Sequence, residues 1–169
     1  EGILARIEAE PRAIELEITE TGLMKDLQGV VPSLHRLNQL GTEISIDDFG
    51  TGYSSLSYLT TLPISELKID RSFVRDLGDT PQSGAVVSAI IALARALGLR
   101  VIAEGVENVT QMEVLYNLGC YICQGFLFAR PMPAAQVEQW LIETQSGQTL
   151  PRISSAEPGS DAAANRTSG

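Results

Sequence analysis

Acidic, basic and amide side chains recur in this sequence at the ends of short apolar segments, and their spacing is the feature most able to carry chemistry. Glu17 stands in IELEI, Asp47 and Asp48 follow EISI, Lys68 and Asp70 belong to ELKID, Glu104 follows RVIA, and Gln124 follows CYIC. The intervals from Glu17 to Asp47, Asp47 to Asp70 and Asp70 to Glu104 are 30, 23 and 34 residues, each about one strand plus one crossover helix. On neighbouring parallel strands these groups meet along one edge. Four or more carboxylates gathered there repel one another and resist ionisation unless a cation sits among them. Hard oxygen donors of this kind suit Mg2+ or Mn2+, and such ions support phosphoryl or carbonyl chemistry. Each position also has a plainer reading. Asp47-Asp48 ahead of a glycine-rich loop can cap a turn, Glu17 can be the solvent side of an alternating strand, and Lys68 can lay its stem along an apolar rim. The set as a whole points to a site.

The segments that must position these groups alternate between strand and helix patterns. Strand patterns fall at 14–18, 43–46, 67–69, 100–103, 120–122 and 126–128. Helical spacing runs over 25–40, with Leu27, Val30, Val31, Leu34, Leu37 and Leu40 on one stripe and Gly41 as a stop. It returns over 82–97, 109–118 and 134–144, with a short helical turn at 56–60, and residues 1–9 read as the end of a helix closed by Pro11. Six strands alternating with helices predict a parallel α/β sheet with right-handed crossovers. A barrel collects groups from every strand at its carboxyl rim, whereas an open doubly wound sheet uses mainly one switch point. The even distribution of polar groups favours the barrel. Beyond 145 the chain has no aromatic residue and no periodicity, which predicts a disordered tail. The Asn165-Arg166-Thr167 triplet there is read as a chance match to a glycosylation acceptor.

With 12 basic against 21 acidic residues the chain carries a net charge of −9, which argues against binding DNA or RNA duplexes through clustered Lys and Arg. An anionic ester bound here would need metal charge for its neutralisation. No apolar run approaches the ~20 residues of a membrane span, and residues 1–20 lack the pattern of a signal peptide. The expectation is a cytoplasmic domain, compatible with an anchor upstream in its parent protein. Cys120 and Cys123 fit a reducing compartment and read as small core residues, because no second ligand pair completes a zinc site. Asp48-Phe49-Gly50 spells a kinase triplet without the other kinase motifs, and Gly50-Thr51-Gly52 lacks the third glycine of a dinucleotide fingerprint. His35, the only histidine, reads as a surface helix residue, and Trp140 with Val137 and Leu141 as a core anchor.

Five collinear motifs, LEITETG (16–22), IDDFGTGYSSLSYL (46–59), LKIDRSFV (67–74), VIAEGVE (101–107) and QGFLFARPMP (124–133), resemble the EAL domain, the bacterial cyclic di-GMP phosphodiesterase. The resemblance implies a (β/α)8 barrel of the TIM type and hydrolysis of one phosphodiester of cyclic di-GMP to linear pGpG, assisted by two Mg2+ or Mn2+ ions. It implies metal ligands at Glu17, Asp47, Asp48 and Glu104, with Asp47 shared between the ions, and Glu107 as a structural or second-metal partner. Lys68 matches the lysine that contacts the attacking water or the phosphate, Asp70 the acid beside it, and Gln124 a residue holding a metal-bound water. Glu20 matches the glutamate that anchors loop 49–59, whose ordering links dimerisation to activity. Arg130 is read as a phosphate or base contact, with a structural salt bridge as its competing role. A homodimer and an upstream sensor or diguanylate-cyclase-type domain are the partners implied.

The family's Glu-Ala-Leu motif on the first strand and the asparagine ending the second have no counterpart in residues 1–13. Residues 1–144 are therefore expected to form an EAL-type domain with about six of eight strands, with exposed edges at 14–18 and 126–128, and 145–169 a tail. By itself such a chain is expected to hydrolyse cyclic di-GMP poorly or not at all. A non-catalytic cyclic di-GMP-binding or regulatory module is the alternative, disfavoured by the presence of Glu17, Asp47, Asp48, Lys68 and Glu104.

Overall fold

The computed structural model describes residues 10–51, 56–80 and 82–145. The helix end expected at 1–9 lies outside them, as does the expected tail apart from Gln145, which closes the last helix. Five strands form one parallel sheet in chain order: β1 (Glu15–Thr19), β2 (Glu43–Phe49), β3 (Glu66–Ile69), β4 (Arg100–Ala103) and β5 (Ile122–Cys123). The helices are α1 (Glu20–Lys25), α2 (Leu27–Gln39), α3 (Leu56–Leu59), α4 (Arg71–Arg75), α5 (Gly84–Ala96), α6 (Val109–Leu118) and α7 (Ala134–Gln145). A doubly wound sheet reverses its strand order at a switch point. This one runs from β1 to β5 without reversal, as a barrel wall does. Among the described residues no helix is long and apolar enough to cross a membrane.

Parallel strands covered on both faces usually read as continuous apolar runs. Here they alternate, and the alternation sorts the sheet into two unlike faces. Ile44, Ile46, Leu67, Ile69 and Ala103 are buried in one core with Val87, Ile90, Ile91 and Ala94 of α5 and Leu115 of α6. The intervening residues are polar and stand level with one another: Glu15 with Glu43, Glu17 with Ser45, Ser45 with Glu66, and Glu66 with Arg100. On the edge strand β1, residues 15, 17 and 19 are exposed.

The amino-terminal layer of this polar face is an acid cluster around one cation. Arg100 pairs with Glu43 and, through Nε, with Glu66 Oε2 at 3.2 Å. Glu66 is 2% exposed, and its Oε1 has no hydrogen-bond partner among the described residues. Burial first, and then the neighbouring Glu15 carboxylate, push the Glu66 carboxyl up to about 7, with Arg100 pulling the other way. The native chain therefore holds a proton there that the unfolded chain releases at lower pH. Stability is expected to fall as pH rises from the ordinary glutamate value through about 7, by on the order of 1–3 kcal/mol. Thermal melts across that window should show the decline, and Glu66→Gln should flatten it. An unchanged slope in the variant would assign the effect elsewhere.

Four expectations change in the structure. Helix 25–40 is divided at Asp26, whose non-helical backbone (φ −149°, ψ 63°) ends α1 and whose Oδ1 accepts the Gly29 N–H at 3.0 Å to start α2. The strand expected at 120–122 begins at Ile122, because the Cys120 N–H closes α6 by donating to Leu115 O at 2.9 Å. Residues 126–128 form a turn, leaving five strands among the described residues instead of six. The Phe128 and Ala129 N–H groups return to Gly125 O, and the Leu127 N–H donates to Val106 O at 3.0 Å, so the chain folds over Val106 instead of extending beside β5. Trp140 is half-buried, with Val137 and Leu141 exposed at 36% and 46%, so α7 contributes no core anchor.

Candidate active site

The carboxyl ends of β1 to β4 converge on one ammonium. Lys68 Nζ lies 2.7 Å from Glu17 Oε1, 2.6 Å from Glu104 Oε1 and 3.5 Å from Asp47 Oδ1, with its side chain only 5% exposed. Lys68 belongs to β3 and Glu17 to β1, so the lysine stem reaches over β2. The residue of β2 level with Glu17 is Ser45, a small side chain that is fully buried. Burial opposes the Lys68 charge, but hydrogen bonds to Glu104 and Glu17 and the charges of Glu104 and Asp47 outweigh it, raising the lysine above its ordinary range. The wall is uneven: Glu104 and Asp47 are 20% and 21% exposed, and Glu17 on the edge strand is 52%.

A backbone irregularity sets the two adjacent aspartates. Between Ile46 and Phe49 the register of β2 against β3 shifts by one residue, a bulge that carries Asp47 and Asp48. Bulges re-aim side chains beside functional sites. Asp48 is the one non-glycine residue with positive φ among those described, at 54°. Its carboxyl is raised by burial and by the charges of Asp47 and Asp70, against the pull of Lys68. Asp70 moves down: burial is outweighed by hydrogen bonds from Ser72, Asp48 and the Arg71 backbone. Asp70 Oδ1 accepts the Ser72 N–H at 2.9 Å and so caps α4, a helix the sequence reading left out.

The remaining expected residues fall around this cluster. Glu20 is fully buried at the start of α1 and accepts the Gly50 N–H through Oε2 at 2.9 Å, tying α1 to the loop that leaves β2. Gln124 is exposed just after β5, its N–H on Ala103 O at 2.8 Å and its carbonyl accepting from Val106 at 3.0 Å. Gln124 and Arg130 line a cavity of about 340 Å3 with Phe126, Met132 and Trp140. The Arg130 guanidinium stands 4.5 Å over the Phe126 ring in a cation–π contact. Glu107 is exposed ahead of α6, and among the described residues no contact joins its carboxylate to Lys68, Glu17, Asp47 or Glu104. His35 is exposed, Cys120 is buried and Cys123 half-buried, both thiols free.

The five expected metal ligands do not stand as a ready cage. Among the described residues no group of three or more Asp, Glu, His or Cys is arranged to hold a metal ion, because the Lys68 ammonium occupies the centre of the carboxylates. The donor set nevertheless fits a divalent ion. Its atoms are hard carboxylate oxygens, three of them lie within 3.5 Å of one point, and Asp47 Oδ1 is buried without a hydrogen-bond partner. Sequence reasoning singled out Glu17, Asp47 and Glu104, which the structure brings together on Lys68, but missed Ser45 and Glu66, which the strict alternation EISID and ELKID places on the same face.

A parallel sheet in unbroken order, with acids of β1, β2 and the end of β4 meeting on a lysine of β3, is the arrangement of a barrel wall that gathers its polar groups at one rim. The EAL domain model matches residues 1–131, and the chain belongs to the EAL domain family. It is 52% identical over 134 residues to the bifunctional diguanylate cyclase/cyclic di-GMP phosphodiesterase MucR of Pseudomonas aeruginosa, covering 79% of this chain and 20% of that protein. The c-di-GMP complex of the PaMucR phosphodiesterase superposes with a TM-score of 0.77 at 51% identity, over 80% of this chain and 55% of the other. Klebsiella pneumoniae BlrP1, solved with cy-diGMP and either calcium or manganese, gives a TM-score of 0.71 at 35% identity, over 76% of this chain and about a third of that one. Relatives in the family thus include structures holding divalent cations. The chain spans a fifth or less of the length of the curated relatives it matches first.

Proposed function

We propose that the protein to which this chain belongs hydrolyses cyclic di-GMP to linear pGpG, using two Mg2+ or Mn2+ ions held by Glu17, Asp47, Asp48 and Glu104. The observation that carries this reading is the meeting of Glu17, Asp47 and Glu104 on Lys68 at one rim. Bound there, divalent ions supply positive charge to a phosphodiester and make a water more acidic at neutral pH. Lys68 donates hydrogen bonds to that water or to a phosphate oxygen, and holds the water in line with the leaving 3′-oxygen. Glu104, 2.6 Å from the ammonium, is placed to accept the water's proton. Asp70 fixes the turn that follows Lys68 through its cap on Ser72. Gln124 orders water at the rim. Arg130, stacked on Phe126 beside the same cavity, faces a guanine or a phosphate. Glu107 serves from outside the carboxylate cluster as a structural partner.

Glu20 anchors the loop after β2 through Gly50, and that link is the route by which a homodimer would tune the rim. An upstream sensor or diguanylate-cyclase-type domain, and a cytoplasmic location, complete the proposal. The likeness to MucR, named as carrying both activities, supports it. Residues 145–169 are proposed to lie outside the catalytic domain.

The test is hydrolysis of cyclic di-GMP by the full-length protein with Mn2+, followed by chromatography of pGpG. Conversion is expected with the full-length protein, and much slower conversion with the 169 residues alone, because Glu17 stands 52% exposed on an edge strand and water screens the site. Tight binding of cyclic di-GMP by the full-length protein without any pGpG would overturn the hydrolase and leave a binding module.

A further inference from the structure

We propose that Lys68 is a tethered competitor of the divalent ions, holding the carboxylate oxygens that a metal must take and thereby setting the affinity of the centre. The inference rests on the metal-dependent reading above. Lys68 Nζ sits 2.7 Å from Glu17 Oε1 and 2.6 Å from Glu104 Oε1, full charge-assisted contacts. Mg2+ binds such oxygens at about 2.0–2.1 Å, so ion and ammonium cannot both occupy the space between the same two atoms. One ammonium against three carboxylates also leaves formally two negative charges in excess, which draws a divalent cation to a centre already built around a monovalent one.

The lysine is suited to yielding. Its charge rides on a flexible four-carbon stem, unlike the planar fork of arginine. An ammonium turned away from Glu17 and Glu104 keeps its charge and is free for an anionic phosphate. Loading of the ions and capture of the phosphate are in this way coupled, and the lysine holds the acids together until the ions arrive.

Calorimetric titration of the full-length protein with MnCl2, alongside its Lys68→Met and Lys68→Arg variants, tests the idea without turnover. Lys68→Met should bind Mn2+ about tenfold tighter or more, since a competing charge is gone. It should also melt roughly 5 °C or more lower without added metal, since three acids lose their counter-charge. Lys68→Arg should stay near the parent in both. Lys68→Gln repeats the measurement should the methionine variant fail to fold. Mn2+ affinity in the neutral variants equal to or weaker than the parent's, with the parent binding normally, overturns the competition while leaving the hydrolase reading intact. Mn2+ uptake by none of the chains overturns the metal centre itself, and the competition with it.

Discussion

Asp47→Asn is expected to cut turnover of cyclic di-GMP by the full-length protein by on the order of 10²–10³-fold, while leaving its melting temperature unchanged or raised. The two halves of this result come from one atom. Asp47 Oδ1 is buried, has no hydrogen-bond partner and stands 3.5 Å from Lys68, so it contributes little to holding the fold. Unpaired buried oxygens persist where a ligand completes them. Replacing the carboxylate with an amide of the same shape removes a negative charge from a crowded acid cluster, which relieves repulsion with Asp48. It also removes the ligand proposed to be shared between the ions. Initial rates with Mn2+ and a thermal melt on the same preparation check both halves. A variant losing activity and stability in parallel would make Asp47 a structural residue.

The second large effect is expected at Gly125, where alanine should destabilise the chain by about 3 kcal/mol, roughly 6–12 °C in melting temperature. A Cβ there would lie 2.2 Å from Val106 O and 2.3 Å from Val106 N, and backbone atoms cannot swing aside as a side-chain tip can. The turn 126–128 depends on that approach through the Leu127 N–H to Val106 O bond. Forcing it open also moves Gln124 and Arg130, which flank Gly125 in the same cavity. Gly98→Ala is the control. Gly98 has φ +71° but nothing within 4 Å of a Cβ, so only backbone strain of about 1–2 kcal/mol applies. Melts of the two variants separate collision from conformation, and equal losses would refute the close-packing argument.

Much of this architecture was legible because strand ends announce themselves. Apolar runs that stop at Asp70 and Glu104 mark where β3 and β4 leave the sheet, the run that stops at Asp47 marks the bulge within β2, and intervals of about one strand plus one helix imply parallel neighbours. What stayed hidden depended on contacts distant in sequence. FLF at 126–128 has strand composition, yet Gly125 lands on Val106, nearly twenty residues back, and a turn results. Asp26 reads as one more polar residue on a helical stripe, and only its bond to the Gly29 N–H makes it a boundary. Lys68 could have laid along the rim. Its burial follows from acids on β1, β2 and β4 that no local pattern connects to it.

Asp48 carries a wider implication for engineering. A side chain bearing a Cβ in a left-handed conformation is less stable than glycine there by about 1–2 kcal/mol, so the rim stores conformational tension that the rest of the sheet must hold in place. Screens that select on heat resistance alone will favour glycine or asparagine at this position. Each such winner gives up the carboxylate proposed as a metal ligand for a sturdier hinge, and thermotolerance and catalysis are expected to part there as they do at Asp47.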